Sequence, residues 1–406
     1  MTSAGSATVS RVLRGELCTG CGLCAAMAPG EIEMRVVEPG YRRPYVKGKV
    51  SSRSEQLIAT ACPGSVVAPW PATPPPHPYW GGALTVATGH AIDPQVRFQA
   101  SSGGVISALL IHALRSGQVD RVIHVAADPE RHTENIVVCS TTEAQILEGA
   151  GSRYSSSSPL ADIDNILGQG GAAAFVGKPC DVSGLRQLAR QDPRVDAHIP
   201  LMLSFFCGGI PSDAGAGRML AAMEVAPEEL TAFRYRGFGW PGLASATTRD
   251  GKVSTMSYAE SWGDFLSHEV QFRCKICPDA VGAVADIACG DAWYGGDKGY
   301  PAFDEEDGRS LVITRTTAGE TLLRAAILTN AISIAPLDQA EIDLMQPAQA
   351  RRKRLILART AAASAALQPS LGMAGTRVRD AAKRAGFGEQ VRNFLGTFRR
   401  IITGRR

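Results

Sequence analysis

Residues 18–29 read Cys18-Thr19-Gly20-Cys21-Gly22-Leu23-Cys24-Ala25-Ala26-Met27-Ala28-Pro29. Cysteines at two-residue intervals wrap an iron–sulfur cubane. The bacterial run for such clusters is C-x2-C-x2-C-x3-C-P, whose fourth cysteine serves a second cluster while the first borrows a distant one. Here the fourth position is Ala28, still followed by Pro29, and the distant partner is Cys62 with Pro63 behind it. Cys18, Cys21, Cys24 and Cys62 are therefore expected to hold one [4Fe–4S] cluster, and no second cluster of this type remains. A zinc knuckle fits poorly, because the triplet crowds three ligands too tightly for paired zinc spacing. Residues 1–70 are expected to form a small ferredoxin-like module.

The 406 residues, 45% hydrophobic and 20% charged, suffice for two or three domains and a large core. Residues 1–20 hold no continuous apolar stretch, and the longest apolar run, residues 199–210, is too short to cross a bilayer. Neither a secretory signal nor a membrane span is expected. Ten cysteines in such a chain point to a reducing compartment, the cytoplasm, where clustered thiols serve metals rather than disulfides. Charge is uneven. Residues 351–406 carry 14 Lys and Arg against Asp380 and Glu389, a net of +12, which leaves the preceding residues at −9 within the chain total of +3.

After Cys62 the prolines 63, 69, 71, 74, 75, 76 and 78 exclude helix and central strand and favour a stiff extended spacer. A linker is expected over residues 71–80. From Leu84 onward, short apolar or β-branched runs alternate with amphipathic helices. The runs are 84–88, 121–126, 135–139, 172–176, 200–206, 286–289, 311–316 and 332–335. That alternation predicts an α/β (α+β) domain with a mixed sheet over residues 81–345.

The first helix with chemistry in view starts at Ser101-Ser102-Gly103-Gly104. Serines cap it in this reading, and the glycines let an anion approach free N–H groups at its positive end. An ordinary capped helix has the same composition. Gly151-Ser152-Arg153-Tyr154 offers a guanidinium, hydroxyls and an aromatic plane, and reads equally as a solvated loop. Gly171–Lys178 is no P-loop, since five residues separate Gly171 from Gly177 and Pro179 follows Lys178. No G-x-G-x-x-G follows a strand.

Cys180 and Cys207 each follow an expected strand, where α/β folds build their sites, and Cys274-Lys275-Ile276-Cys277 adds a C-x2-C. Together they make a second set of four thiols for another [4Fe–4S] cluster. A redox dithiol at Cys274 and Cys277 is the competing reading. Cys139 and Cys289 fall within strands and read as packing.

Taken in order, these segments with Phe206-Cys207-Gly208-Gly209-Ile210-Pro211 and Ala285-Asp286-Ile287-Ala288-Cys289-Gly290-Asp291 resemble the coenzyme F420 hydrogenase/dehydrogenase β-subunit family. The resemblance implies an iron–sulfur flavoprotein oxidoreductase that binds FAD and one or two [4Fe–4S] clusters. It would relay electrons to or from a deazaflavin such as coenzyme F420, or act as a ferredoxin-dependent reductase of another organic substrate. A non-catalytic scaffold subunit is the reading from another class. The resemblance further implies that Ser101, Ser102, Gly103 and Gly104 face the FAD pyrophosphate. Ser152, Arg153 and Tyr154 would line the flavin pocket, and Lys178 would stabilise reduced flavin. Asp291 would contact cofactor or anchor a loop. Expected partners are ferredoxin or deazaflavin and other enzyme subunits, with no nucleic acid. Residues 346–406 have no counterpart in this resemblance. They read as a basic amphipathic helical tail that lies on an anionic membrane surface or folds back on the acidic body.

Overall fold

The computed structural model describes residues 5–296 and 299–404. In chain order its strands are β1 (Ile32–Val37), β2 (Tyr41–Val46), β3 (Thr85–Ala91), β4 (Arg121–Ala127), β5 (Asn135–Ser140), β6 (Ala173–Gly177), β7 (Leu201–Phe205), β8 (Leu230–Arg234), β9 (Ala244–Thr248), β10 (Val253–Met256), β11 (Ile287–Asp291), β12 (Ser310–Thr314) and β13 (Ile332–Pro336). One sheet takes the order β13-β3-β12-β11-β7-β6-β4-β5. Its members are the eight apolar runs expected from the sequence, with ends shifted by a few residues. β4, β6, β7 and β11 pair in parallel, and antiparallel neighbours flank them, so the sheet is mixed as expected.

Parallel strands are covered on both faces and so read as continuous apolar runs; Ala173-Ala174-Phe175 and Leu201-Met202-Leu203 are buried throughout. Alternate side chains then divide between two cores. Phe175, Met202 and Ile313 join Leu185 of the Pro179–Ala189 helix. Ala174, Leu203 and Val312 join Leu109 of the Val105–Arg115 helix and Leu322 of the Thr317–Leu328 helix.

The first of these cores continues into the N-terminal segment, whose Leu23, Ile58 and Ala61 pack in it with Phe175 and Leu185. The spacer expected over residues 71–80 is corrected at its C-terminal end, where Tyr79 is 3% and Trp80 0% exposed. Trp80 Nε1 donates to Asp343 Oδ1 at 2.7 Å, and its ring stacks on Phe206 with centroids 6.1 Å apart. Rings of that size bury too much apolar surface for this end of the segment to stand free in water.

The β1–β2 hairpin and the three-stranded sheet β10-β9-β8 lie outside the sequence expectation. The small sheet packs Phe233, Ala244 and Ala246 on Met219 and Leu220 of the Asp213–Ala222 helix. The hairpin turn needs Gly40, at φ +111°, because a Cβ there would stand 2.6 Å from Asp213 N.

The tail forms helices over Pro347–Ala365 and Phe387–Ile402. The first buries Leu355 and Ile356, and its Ala350 packs into the core that holds Phe175 and Leu185. The second is tied to it by Arg351 Nε to Glu389 Oε1 at 3.0 Å and Gln390 Nε2 to Arg354 O at 3.2 Å. Among the described residues no helix is long and apolar enough to cross a membrane.

Candidate functional site

The carboxyl ends of β6 and β7 open into a cavity of about 530 Å³, within the size range of cofactor sites. One wall is the start of the Val105–Arg115 helix. Its N-cap is Gly104, at φ +75°, and no side chain caps it. The serine cap expected from the sequence is therefore corrected: Ser102 Oγ donates to Arg309 O at 3.0 Å, and Ser152 Oγ donates to Ser101 Oγ at 2.8 Å. With both hydroxyls turned aside, the first N–H groups of the helix are left without a side-chain acceptor. Gly103 stands behind the wall rather than on it. Its N–H donates to Ser310 Oγ at 3.0 Å, and an added Cβ would meet Gly89 O at 2.4 Å.

Ser101, Ser102, Gly104, Ser152, Arg153, Tyr154, Lys178, Cys207 and Asp291 all line the cavity. Their functional atoms are not equally free. The Arg153 guanidinium is spent on protein: Nε on Asn135 Oδ1 at 2.9 Å, Nη1 on Phe233 O at 3.1 Å, and Nη2 on His132 O and Glu134 O at 2.9 and 2.7 Å. It ties the 152–154 loop to β5 and β8. Tyr154 packs at a tilt against Trp262 and edge-to-face against Tyr235, with centroids 4.9 and 5.7 Å away. Asp291 takes the anchoring role of the two considered. Both its oxygens are held by Arg236, and Trp240 Nε1 donates to Oδ1 at 2.8 Å.

Lys178 follows β6 and is buried. Nζ lies 2.7 Å from Asp181 Oδ2 and donates to Ser157 Oγ at 3.2 Å. Burial by itself would lower its pKa, but the Asp181 carboxylate and the thiols of Cys180 and Cys207 raise it by more. The ammonium therefore stays charged at the cavity wall.

The cysteines sort into two sets. Cys18, Cys21 and Cys24 are buried and none of the set is in a disulfide. Burial, and then the neighbouring Cys18 thiol, push Cys62 up to about 11, and Cys21 and Cys24 are raised by burial and by Cys62. In the second set burial dominates the rise at Cys180 and at Cys207, and the neighbouring Cys274 and Cys277 add to it at Cys207, which is pushed up to about 12. Cys207 follows β7, Cys180 is the second residue of the Pro179–Ala189 helix, and a Cβ on Gly209 would sit 3.3 Å from Cys274 Cβ. Cys139 is exposed on β5 and Cys289 buried on β11, outside both sets.

Among the described residues no three His, Cys, Asp or Glu side chains converge closely enough for a single metal ion. A cubane fills the space between its thiolates, so its ligands stand wider apart than those of one ion. Clustered thiols, with burial raising Cys21, Cys24, Cys62, Cys180 and Cys207, suit a cationic iron core, which coordinates the thiolate and compensates its charge. Arg273 adds a second indication. It is 1% exposed, and its Nε has no hydrogen-bond partner. A buried guanidinium stays charged and needs an anion beside it. Four thiolates around iron would provide one, and the residues present fit the group.

Arg273 and the cavity contacts of Gln349 and Arg352 were not foreseen. Arg352 Nη1 donates to Cys207 O at 3.0 Å and Gln349 Nε2 to the same oxygen at 2.9 Å. The sequence signal was present only as charge in a helix that reads as surface.

Fold and site define an α/β redox protein: a mixed sheet with a cofactor-sized cavity at the ends of its parallel strands, beside clustered thiols and a charged lysine. The chain belongs to the coenzyme F420 hydrogenase/dehydrogenase β-subunit family, and is an oxidoreductase of that family. Residues 86–163 match its N-terminal part and 171–340 its C-terminal part. The chain is 25% identical over 287 residues to the coenzyme F420 hydrogenase subunit beta of Methanococcus voltae, covering 68% of this chain and 92% of that one. It is 24% identical over 230 residues to the F420-dependent formate dehydrogenase subunit beta of Methanocaldococcus jannaschii, covering 55% and 57%. In fold it is similar to a chain of the F420-reducing [NiFe] hydrogenase complex from Methanosarcina barkeri, with a TM-score of 0.54 at 20% identity over 70% of this chain and 95% of that one. The matched residues include Cys180, Cys207, Cys274 and Cys277, and leave out the Cys18–Cys62 segment and the tail.

Proposed function

We propose that this chain relays electrons between [4Fe–4S] clusters and FAD, to or from an organic hydride carrier of the coenzyme F420 type. The observation that carries the reading is the meeting of three features at one cavity: an uncapped helix N-terminus, the buried Lys178 ammonium, and Cys207 of the second thiol set. When bound, the clusters supply one-electron chemistry and the flavin pairs electrons for hydride transfer.

The chain's own residues do the rest. The N–H groups at Gly104–Ile106 would receive the pyrophosphate, with Ser101 and Ser102 beside it. Lys178 would face negative charge gained on reduction, held in place by Asp181 and Ser157. Tyr154 and Trp262 on the cavity wall would border a ring system and exclude water from it. Arg236 and Asp291 would keep the far wall rigid. Cys18, Cys21, Cys24 and Cys62 would hold the outer cluster, in the ferredoxin-like segment of residues 1–70, and the second set the inner one.

Relatives in this family are named as subunits of hydrogenases and formate dehydrogenases, and a place in such a multi-subunit enzyme follows for this chain. The exposed apolar face of the Phe387–Ile402 helix, with Arg392 and Arg399 alongside, would rest on an anionic membrane surface.

The test is anaerobic purification, extraction of flavin, iron analysis, and mixing with reduced deazaflavin. FAD and about eight irons per chain from two clusters of about four each, with flavin bleaching by the deazaflavin, are expected. Bleaching by reduced ferredoxin alone would assign the chain to ferredoxin-dependent reduction of another substrate, and a colourless protein would leave a scaffold.

A further inference from the structure

The two thiol sets differ in the charge packed around them. Arg273 stands between them: it directly precedes Cys274, and its Nη2 donates to Pro63 O, the residue after Cys62, at 3.0 Å. It lies closer in influence to the second set, interacting with Cys277, Cys180 and Cys274. The carboxylates of this region are committed elsewhere: Asp181 to Lys178, Asp286 to Arg186, Glu269 to Arg218 and Asp291 to Arg236.

One further cation, Arg352, reaches the second set from the Pro347–Ala365 helix, which lies beyond the residues matched to the family. Arg352 donates through Nη1 to Cys207 O at 3.0 Å and through Nη2 to Gly208 O. Lys353 beside it is 5% exposed, and burial pushes its ammonium down to about 7. Its Nζ donates to Pro278 O and to Thr376 O, and stands 3.6 Å over the Trp70 ring. Asp279 is a carboxylate that acts on this group, and it accepts the N–H groups of Val281 and Ala283. Around the first set the balance is different. Its Cys21 faces Asp181, already paired with Lys178, and Arg273, which donates to the Pro63 carbonyl, acts there on Cys62 alone as the last and smallest of the influences on that thiol.

Reduction adds negative charge to a cluster, and nearby net charge, hydrogen bonds and burial are what set its potential. A cation in a low-dielectric surrounding acts strongly, because little water screens it. We propose that Arg273, with Arg352 from the tail helix, is the countercharge of the cluster held by Cys180, Cys207, Cys274 and Cys277, and makes that cluster easier to reduce than the one held by Cys18, Cys21, Cys24 and Cys62. This rests on the two-cluster reading above. Its consequence is that an electron on the protein settles at the cavity end of the chain, and that a tail outside the matched family residues sets where it settles.

The experiment is a potentiometric titration of the full chain with dithionite, followed by low-temperature electron paramagnetic resonance, with iron counted in each sample. Cys18→Ser identifies the first cluster's signal by removing it. In the unmodified protein the remaining signal is expected to appear at the higher potential. Arg352→Gln, at a half-exposed residue, is expected to shift that signal to lower potential and leave the first in place. Arg273→Gln is expected to shift it further or to lose about four irons per chain, and Arg273→Lys to restore it. The proposal is overturned if the first cluster reduces at the higher potential, if neither neutral variant moves the second signal at full iron content, or if Arg273→Lys behaves as Arg273→Gln does. About four irons in the unmodified protein would instead take down the two-cluster reading itself.

Discussion

Arg236 and Asp291 meet through two parallel hydrogen bonds, Nη1 to Oδ2 at 2.9 Å and Nη2 to Oδ1 at 2.7 Å, with the guanidinium 2% exposed and lying 4.6 Å from the Tyr258 ring centre and 4.9 Å from that of Trp293. The pair joins the end of β11 to the loop after β8. Removing one partner of a buried ion pair leaves the other uncompensated and costs about 3–5 kcal/mol. Asp291→Ala is expected to lose stability near the lower end of that range in urea unfolding. Arg236→Met combined with Asp291→Leu is expected to recover most of it. Equal stability of Asp291→Ala and the unmodified protein would dismiss the anchoring role.

The helix N-terminus at Gly104 is testable at Ser101, which lines the cavity, but not at Gly103, where any side chain strikes β3. Ser101→Asp brings a carboxylate to the groups assigned to the pyrophosphate. FAD affinity is expected to fall about tenfold or more, a change of about 1.4 kcal/mol or more, in fluorescence titration of the deflavinated protein. Unchanged affinity would remove the phosphate from this wall.

The thiol sets make a sharper forecast. Cys207→Ala and Cys180→Ala should each lower iron by about four per chain, whereas Cys139→Ala and Cys289→Ala should leave it unaltered. A dithiol at Cys274 and Cys277 would instead give unchanged iron in Cys180→Ala and Cys207→Ala and a reducible disulfide in the oxidised protein. Iron analysis of the four variants separates the two.

Asp213 carries a pH dependence. Burial, and less so Glu134, push its carboxyl up to about 6 although Ser155 Oγ donates to it at 2.9 Å. A folded-state pKa above the unfolded value of about 3.9 means that the folded protein holds the proton more tightly. The stabilisation is full below about pH 3.9 and is lost as pH rises through about 6. Asp213→Asn is therefore expected to be more stable than the unmodified protein at pH 8, with the difference closing towards pH 4. A difference that stays constant from pH 4 to 8 in thermal unfolding would contradict this.

The eight-stranded sheet was legible because buried parallel strands must be apolar on both faces, as at Leu201–Leu203. The β8-β9-β10 sheet was not, because its apolar pattern is short and broken: Thr231 and Ala232 of β8 are both exposed between buried Leu230 and Phe233, where the pairing register shifts, and β10 has no buried residue. Ser101 and Ser102 read as caps by type, yet strand β12 and the 152–154 loop lie close enough to claim their hydroxyls. Arg153 read as a ligand contact for the same reason. Composition records a guanidinium but not the carbonyls of His132, Glu134 and Phe233 that the fold brings to it. The long-range meeting of Arg352 with Cys207 leaves no local trace in the chain.

The Phe387–Ile402 helix leaves Phe387, Val391, Leu395 and Ile402 at 84%, 39%, 58% and 62% exposure, one stripe by helical spacing, while Thr397 and Ile401 face the body. Arg392 and Arg399 lie beside the stripe. Deleting residues 377–406 would also remove Val378 and Ala381, which are buried, and so would disturb more than this surface. Replacing Phe387, Leu395 and Ile402 together by Gln changes the stripe alone. Each side chain of this kind contributes about 1.5–3 kcal/mol when fully buried, and partial insertion of three amounts to at least about a tenfold change in partitioning. The unmodified protein is expected to float with vesicles containing anionic phospholipid in low salt, less so as salt screens the arginines, and the triple variant to remain in the soluble fraction. Equal flotation of both proteins, or none of either, would assign the stripe to contact with another subunit instead of a lipid surface.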